Sequence, residues 1–305
     1  MLLFISCHAF AQYSDGSLYS AARVGDEKTV LKILGDNPDD GSLNQALGAA
    51  ITGDQLSLVK LLIRKKANVN HLSSWNNPIL INAIMFDHFE AAKILIANKA
   101  DVNVRGFRTI DHGIEISWDW SPLMCAARKG NLELIKLLLD KKADLNEKGW
   151  STSPDDSENA ADIAAYSGNI EVLNFLLKKG AAISPNTIFK AIRSNKIDTL
   201  KVLFKNRTDI NQYEPTLGRT LLSEASWWGN SDIIQFLLLN KADVNYRDKD
   251  GTTPLMHAVK QNNLDAIKIL LQNGADMNQN QPEGTTPFLY ARDNSLTEIL
   301  NIFRE

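Results

Sequence analysis

A four-residue phrase that returns at nearly constant intervals constrains the fold of this chain more than any other feature. The phrase is Ala, Asp, an aliphatic residue and Asn, as in Ala242-Asp243-Val244-Asn245. Its copies end at Asn70, Asn103, Asn146, Asn211, Asn245 and Asn278, and a degenerate copy ends at Ser184. The intervals between these final residues are 33, 43, 38, 27, 34 and 33 residues, which vary around a period of 33. A fixed period of this length is typical of stacked supersecondary units.

A second phrase recurs in step with the first and predicts the start of a helix. It reads Ser121-Pro122, Thr253-Pro254 and Thr286-Pro287, each followed by apolar and small residues. A Ser or Thr hydroxyl can cap the free N–H groups of a first helical turn, and Pro at the first helical position has no N–H to leave unpaired. We therefore expect each such unit to begin with a helix at this phrase.

The unit between these phrases has the pattern of a helix pair. We predict a short helix from Pro122 to Lys129, a break at Gly130 and a second helix from Leu132 to Asp140. The second helix carries apolar residues at helical spacing, namely Leu134, Ile135, Leu138 and Leu139. One such pair cannot bury its apolar face alone, so the units must stack on one another.

The two phrases, repeated in phase, resemble those of the ankyrin repeat family from about Gly16 onward. The resemblance implies an all-α solenoid of stacked helix pairs, with a turn or β-hairpin, here called a finger, between successive units. We expect an N-terminal cap at about residues 16–35, seven central units over about 42–278 and a C-terminal cap at about 284–305. Together they would form one domain over residues 12–305.

Three fingers depart from the common length, and one of them is the finger after Asn146, which has 5 extra residues in the polar segment 149–159. The finger after Asn103 has 10 more residues than the finger after Asn245, and the extra residues lie within 104–120. Between Ser184 and Thr187 the finger has nearly vanished, so we expect a local irregularity, such as a bend in the solenoid, near residues 184–196. Because stacking does not need the insertion, we predict that it binds a partner, with folding back over its own neighbours as the alternative.

Residues 1–11 have the features of an export signal. The sequence MLLFISCHAFA has no charged residue, begins with an apolar run and ends in Ala9-Phe10-Ala11, which fits a cleavage site. Because it is short and has no basic residue before the apolar run, we interpret it as the back half of a signal peptide. An ordinary N-terminus and lipid attachment at Cys7 are alternatives. We expect a periplasmic protein; an extracellular or host-directed location, or a cytoplasmic one if residues 1–11 are not a signal, stays open.

Charge and motif content argue against several classes of function. The 33 Lys and Arg residues oppose 36 Asp and Glu, a net charge of -3, which disfavours nucleic-acid binding through a basic surface. No apolar stretch reaches the ~20 residues that a membrane span needs, so we expect no membrane insertion. The chain has no nucleotide-binding, zinc-protease or nucleophile-elbow motif, and its five histidines are scattered. We therefore predict no enzyme, no catalytic residue, no cofactor and no metal.

Four side chains have groups that could in principle take part in chemistry. Adjacent Asp111 and His112 leave a catalytic site in the insertion as an alternative. We interpret Cys125 as a buried, Ala-like residue rather than a nucleophile. His257 is expected to pack between helices, with a ring N–H bonded to the backbone.

The family resemblance places partner binding at finger tips and at the residues before the turn within each helix pair, on the concave side. There this chain carries Trp75, Phe86, Phe107, Trp118, Trp120, Arg128, Lys129, Tyr166, Arg193, Trp227, Trp228 and Lys260. Aromatic and Arg side chains dominate recognition hot spots because they bury much area at small entropic cost. We predict a monomeric scaffold that binds a protein partner there, with a secreted effector acting on another cell's proteins as the alternative. Packing of these aromatics on their own neighbours is the competing interpretation.

Overall fold

The structure is a computed structural model that describes residues 17–73, 77–106, 109–111, 114–116, 119–149, 157–205 and 209–304. Residues 1–11, interpreted above as an export signal, lie outside the described residues. The described part contains eighteen helices: α1 (Leu18–Val24), α2 (Glu27–Leu34), α3 (Asp40–Thr52), α4 (Leu56–Arg64), α5 (Ile79–Met85), α6 (Phe89–Ala97), α7 (Pro122–Lys129), α8 (Leu132–Asp140), α9 (Ala160–Ser167), α10 (Ile170–Lys178), α11 (Pro185–Arg193), α12 (Ile197–Lys205), α13 (Leu221–Trp228), α14 (Ser231–Leu239), α15 (Pro254–Lys260), α16 (Leu264–Gln272), α17 (Pro287–Asp293) and α18 (Thr297–Ile302). Two short strands are also present, β1 (Thr109–Asp111) and β2 (Ile114–Ile116).

The helices pack as successive pairs that stack in sequence order. Consecutive helices contact each other, as α7 contacts α8 and α13 contacts α14. First helices of neighbouring pairs also contact each other, as α5 contacts α7 and α13 contacts α15, and second helices do the same, as α14 contacts α16. The prediction of an all-α repeat solenoid is therefore confirmed.

The chain divides into two compact units. Unit 1 comprises Met1–Ala164 and Glu171–Ala182, and unit 2 comprises Ala165–Ile170 and Ile183–Glu305. The division falls near the shortened finger, where only residues 179–184 separate α10 from α11. None of the described helices is long and apolar enough to span a bilayer.

Helix starts follow the capping chemistry that the second phrase predicts. The hydroxyl oxygens of Ser121, Thr253 and Thr286 accept the backbone N–H three residues later, over 3.4, 3.2 and 3.0 Å. Pro follows each of them at the start of its helix. Because this interaction involves only neighbouring residues, it defines the start of α7 at the residue that the sequence predicts.

Side chains of the recurring phrase bond within one finger and between neighbouring fingers. Asp144 Oδ1 accepts the N–H of Asn146 over 3.0 Å, which holds the turn within one copy. Asn103 Oδ1 accepts the N–H of Asp144 over 3.0 Å, which links that copy to the preceding one. The same kind of link between successive copies occurs in unit 2, where Asn245 Oδ1 accepts the N–H of Asp276 over 2.9 Å. The second and fourth residues therefore recur because each satisfies a backbone donor that would otherwise be left unpaired.

The long finger includes the two strands. β1 and β2 pair antiparallel, with Thr109 opposite Ile116 and Asp111 opposite Ile114. At the base of the insertion, the Gly106 N–H donates to the Trp120 carbonyl over 3.0 Å. A β-hairpin thus forms part of the inserted segment.

The core lies between the helix layers and includes the cysteine. Cys125 on α7 is 1% exposed, beside Ala126 and Ala127, which are fully buried. Burial raises the pKa of the Cys125 thiol to about 12. The side chain is therefore a buried, protonated thiol, which agrees with its interpretation as an Ala-like residue.

Candidate protein-binding surface

The candidate binding residues that the structure describes share one position in the repeat, with a single exception in a finger. Phe86, Arg128, Lys129, Tyr166, Arg193, Trp227, Trp228 and Lys260 all lie in the last turn of a first helix or directly after it, and Trp120 lies at the end of the long finger. Trp75, Phe107 and Trp118 lie outside the described residues. The described candidates belong to two separate groups, one in each compact unit.

In unit 1 the predicted residues contact one another and their neighbours. The Arg128 guanidinium lies 5.2 Å from the centroid of the Trp120 ring, so these two candidates form a cation–π pair. Lys129 Nζ makes an ion pair of 2.8 Å with Asp87. Phe86 is 41% exposed. In unit 1, therefore, Phe86 offers an exposed aromatic surface, whereas Trp120 packs against its own chain.

An arginine at the base of the long finger joins that finger to the next one. Arg105 Nη1 lies 2.6 Å from Asp119 Oδ2, and its Nη2 lies 2.8 Å from Glu147 Oε1. Arg105 Nη2 also donates to the Lys148 carbonyl over 2.9 Å. Burial raises the pKa of Glu147, and the positive charge of Arg105 opposes that effect. No sequence pattern marks this anchor, because its members lie as far as 43 residues apart along the chain.

In unit 2 a buried glutamate organises the predicted residues. Glu224 on α13 has a side chain that is only 3% exposed. Its Oε1 lies 2.5 Å from Arg193 Nε, and it accepts the indole N–H of Trp228 over 3.0 Å. Arg219 Nη1 lies 4.0 Å from Glu224 Oε2. We call Arg193, Arg219, Glu224, Trp227 and Trp228 the Glu224 cluster.

The two adjacent tryptophans of this cluster have different environments. The Trp227 ring contacts the Arg219 guanidinium, 4.9 Å from its centroid, and the His257 ring, 5.7 Å away in an edge-on arrangement. Trp228, in contrast, is 51% exposed. Trp227 is therefore held by packing, as the competing interpretation allows for some of the aromatics, and Trp228 remains accessible.

His257 is bonded to a carboxylate, so the prediction of a backbone partner was wrong. His257 Nε2 lies 2.9 Å from Asp248 Oδ2, and Asp248 Oδ1 accepts the N–H of Thr252 over 2.7 Å. Burial acts to raise the pKa of Asp248, but the hydrogen bonds from His257 and Thr252 outweigh burial and lower it. Because both side chains are at least 96% buried, the pair fastens the finger to α15 and does not face solvent.

Glu224 and Arg219 are the residues of this surface that sequence reasoning missed. The available signal was one acidic residue within the apolar and small run Leu221-Leu222-Ser223-Glu224-Ala225. A carboxylate in such a place is rarely buried unless it is paired, so it points to cationic partners nearby. Within the described ranges there is no group of three or more His, Cys, Asp or Glu that could hold a metal ion.

Comparison with known proteins identifies a family model that matches almost the whole chain. The model is described as "Ankyrin repeats (3 copies)", and it matches residues 18–106, 108–187, 163–248, 188–281 and 224–304. The solved structure of the human ASB11 ankyrin repeat domain superposes with a TM-score of 0.60 at 26% identity. That match covers 74% of this chain and 97% of the ASB11 domain.

Curated relatives match shorter segments. Human M-phase phosphoprotein 8 is 34% identical over 80 residues, which is 26% of this chain and 9% of that protein. A Rickettsia felis protein described as a putative ankyrin repeat protein is 33% identical over 98 residues, which is 30% of this chain and 26% of that protein. The chain therefore spans less than a third of the length of these relatives.

Proposed function

Because this chain belongs to the ankyrin repeat family, whose repeats generally serve as protein–protein interaction scaffolds, we propose that it binds a partner protein through the last turns of its first helices. The contact surface in unit 2 consists of Trp228, Arg193 and Lys260, and in unit 1 it includes Phe86. The protein acts by presenting these side chains on packed helices and not by catalysing a reaction.

The proposal depends most on one observation, that the side chain of Trp228 is exposed and at the same time held by a hydrogen bond. The residue is 51% exposed although its indole N–H is already bonded to the buried Glu224. The hydrogen bond holds the indole in one orientation, so little conformational entropy is lost when a partner covers it. An exposed, preorganised Trp at the end of a helix is the type of residue that dominates binding energy in protein interfaces.

Chemical groups near this surface support binding rather than catalysis. His257 and Asp248, which could transfer protons, are 4% and 2% exposed and bond to each other. Cys125, in unit 1, is a buried thiol. Of the alternative catalytic pair Asp111 and His112, the histidine lies outside the described residues.

Affinity capture with a matched pair of variants tests the proposal. The full chain would be immobilised, exposed to a cell-envelope extract of the producing organism, and its bound proteins identified by mass spectrometry. Trp228→Ala should lower recovery of the specific partner at least about 10-fold, since hot-spot residues contribute about 2 kcal/mol or more. Leu239→Ala is the control, because Leu239 is 81% exposed at the end of the second helix α14. Equal recovery by both variants would contradict the proposed surface.

We also propose that the protein is exported to the periplasm. The uncharged residues 1–11, with Ala9-Phe10-Ala11 before Gln12, support this location. Mass spectrometry of the protein from fractionated cells should find a mature chain beginning at Gln12 in the periplasmic fraction. Recovery from the growth medium or from a target cell would favour the effector alternative, and an unprocessed cytoplasmic chain would contradict export.

A further inference from the structure

The charge of the exposed helix ends in unit 2 is opposite to that of the whole chain. The chain has a net charge of -3, yet α11, α13 and α15 carry the basic residues Lys190, Arg193 and Lys260 against one acidic residue, Glu224. Arg219, just before α13, adds another positive charge. Because Glu224 is buried, its carboxylate is out of reach of an approaching ligand.

Glu224 offsets only one of the two positive charges that it pairs with, those of Arg193 and Arg219. Arg193 uses its Nε for Glu224, its side chain is 49% exposed, and its two terminal nitrogens make no hydrogen bond to the residues that the structure describes. Lys260 makes no ion pair within that same part of the chain. Two arginines thus pair with one carboxylate, and Lys260 at the end of α15 adds a further positive charge, so the helix ends of unit 2 carry a surplus of positive charge.

We propose, on the basis of the protein-binding function above, that this surface takes an acidic segment of the partner protein. A partner carboxylate binds the terminal nitrogens of Arg193, and the apolar side chain of an adjacent partner residue covers the indole of Trp228. Lys260 supplies further attraction for acidic residues along the segment.

The geometry of the Glu224 cluster explains why the partner segment should offer a carboxylate and, next to it, an apolar side chain. An Arg guanidinium that keeps its terminal nitrogens available fits the two oxygens of a carboxylate. Trp228 has already given its only N–H to Glu224, so its ring offers apolar surface and no donor. Since Arg193 and Trp228 bond to the same Glu224 oxygen, a carboxylate and a neighbouring apolar side chain of one segment can reach both.

A peptide selection on the full chain tests this inference without knowledge of the natural partner. A library of random peptides displayed on phage would be selected against the immobilised protein, and an enriched sequence would be synthesised with a fluorescent label. We expect enrichment of peptides in which Asp or Glu lies beside Leu, Phe or Trp. Replacing every acidic residue of such a peptide by its amide should weaken binding, measured by fluorescence anisotropy, at least about 10-fold.

Protein variants separate the role of charge from the role of the indole. Lys260→Gln should weaken binding of the acidic peptide and leave binding of its amide version unchanged, because Lys260 is not a partner of Glu224. Arg193→Gln should weaken binding of the acidic peptide more than binding of the amide version. Arg292→Gln is the control. Arg292 lies in the last turn of α17, as Lys260 does in α15, but it pairs with Asp293 over 2.8 Å. The Arg292→Gln variant should bind the acidic peptide as tightly as the natural protein does.

Several results would overturn the acidic-segment inference. They are equal binding of the acidic and amide peptides, enrichment of neutral or basic sequences, absence of any enriched peptide, and tighter binding of a labelled oligothymidine than of the acidic peptide. If Trp228→Ala still abolished capture of the natural partner, the proposed function would stand while this inference failed. If Trp228→Ala left capture unchanged, the proposed function itself would fail.

Discussion

The indole N–H of Trp228 donates a 3.0 Å hydrogen bond to Oε1 of Glu224, a carboxylate whose side chain is 3% exposed. This bond connects Trp228, the exposed aromatic residue at the end of α13, to the buried carboxylate of Glu224 in the same helix. The same oxygen also lies 2.5 Å from Arg193 Nε. One buried group therefore orients both side chains that the proposed function uses.

Replacement of Glu224 by Gln should destabilise the fold because it leaves Arg193 and Arg219 without their counter-charge. Breaking a buried pair in this way costs a few kcal/mol, and we expect about 1–3 kcal/mol here because Arg193 is half exposed. Thermal and urea unfolding would measure the change. Glu133→Gln is the control, since Glu133 is 76% exposed where it pairs with Lys93, and that substitution should change stability by less than about 0.5 kcal/mol.

Asn103→Ala should weaken the contact between two successive fingers. The substitution leaves the N–H of Asp144 without its 3.0 Å acceptor, and we expect a loss of about 1 kcal/mol in the free energy of unfolding. Urea denaturation followed by circular dichroism would measure it. Asn98→Ala removes only a bond to Ile94 within the same helix end. If the two substitutions had equal effects, the role assigned to the recurring Asn would be wrong.

Lys142→Gly should stabilise the protein. Lys142 has a φ of 72°, a left-handed conformation that is unfavourable for a residue with a Cβ, whereas Gly274 occupies the corresponding position after α16 with a φ of 87°. We expect a gain of about 0.5–1 kcal/mol, because relief of that strain exceeds the extra chain entropy of glycine in the unfolded state. Urea unfolding should show the opposite sign for Lys141→Gly, since Lys141 has a φ of -88°.

Acid should remove the stabilisation that Asp248 provides. The pKa of Asp248 is lower in the folded protein than its ordinary value of 3.8, since the hydrogen bonds from His257 and Thr252 outweigh burial. The associated stability is therefore present above pH 3.8 and is lost as the pH falls through the lower folded pKa. Asp248→Asn should lower the thermal midpoint at about pH 7, and its difference from the natural protein should shrink below pH 3.8.

A control distinguishes this linkage from general acid unfolding. Asp140 is exposed at the end of α8, and Asp140→Asn should leave the thermal midpoint nearly unchanged at about pH 7. A difference between Asp248→Asn and the natural protein that stayed constant from about pH 7 to about pH 3 would contradict the assigned role of the carboxylate.

Local chemistry explains why the helix boundaries could be predicted. The prediction for Pro122 to Lys129 and for Leu132 to Asp140 agrees with α7 and α8 residue for residue, because capping by Ser121 and the turn at Gly130 involve groups only a few positions apart. The period of 33 residues likewise implies stacking, since identical apolar faces repeat along the chain. The intact link from Asn103 to Asp144 spans a 43-residue interval between copies of the phrase, so the insertion leaves the bond between fingers in place.

The sequence alone therefore determined the repeat, the helix ends and the list of side chains at the end of each first helix. Only the tertiary structure decided that Trp227 packs against Arg219 and His257, while its neighbour Trp228 stays exposed and bonded to the buried Glu224. The physical reason is that adjacent residues on a helix point about 100° apart. Which of the two is covered depends on side chains from neighbouring elements. One of these is His257, which lies on the first helix of the next helix pair.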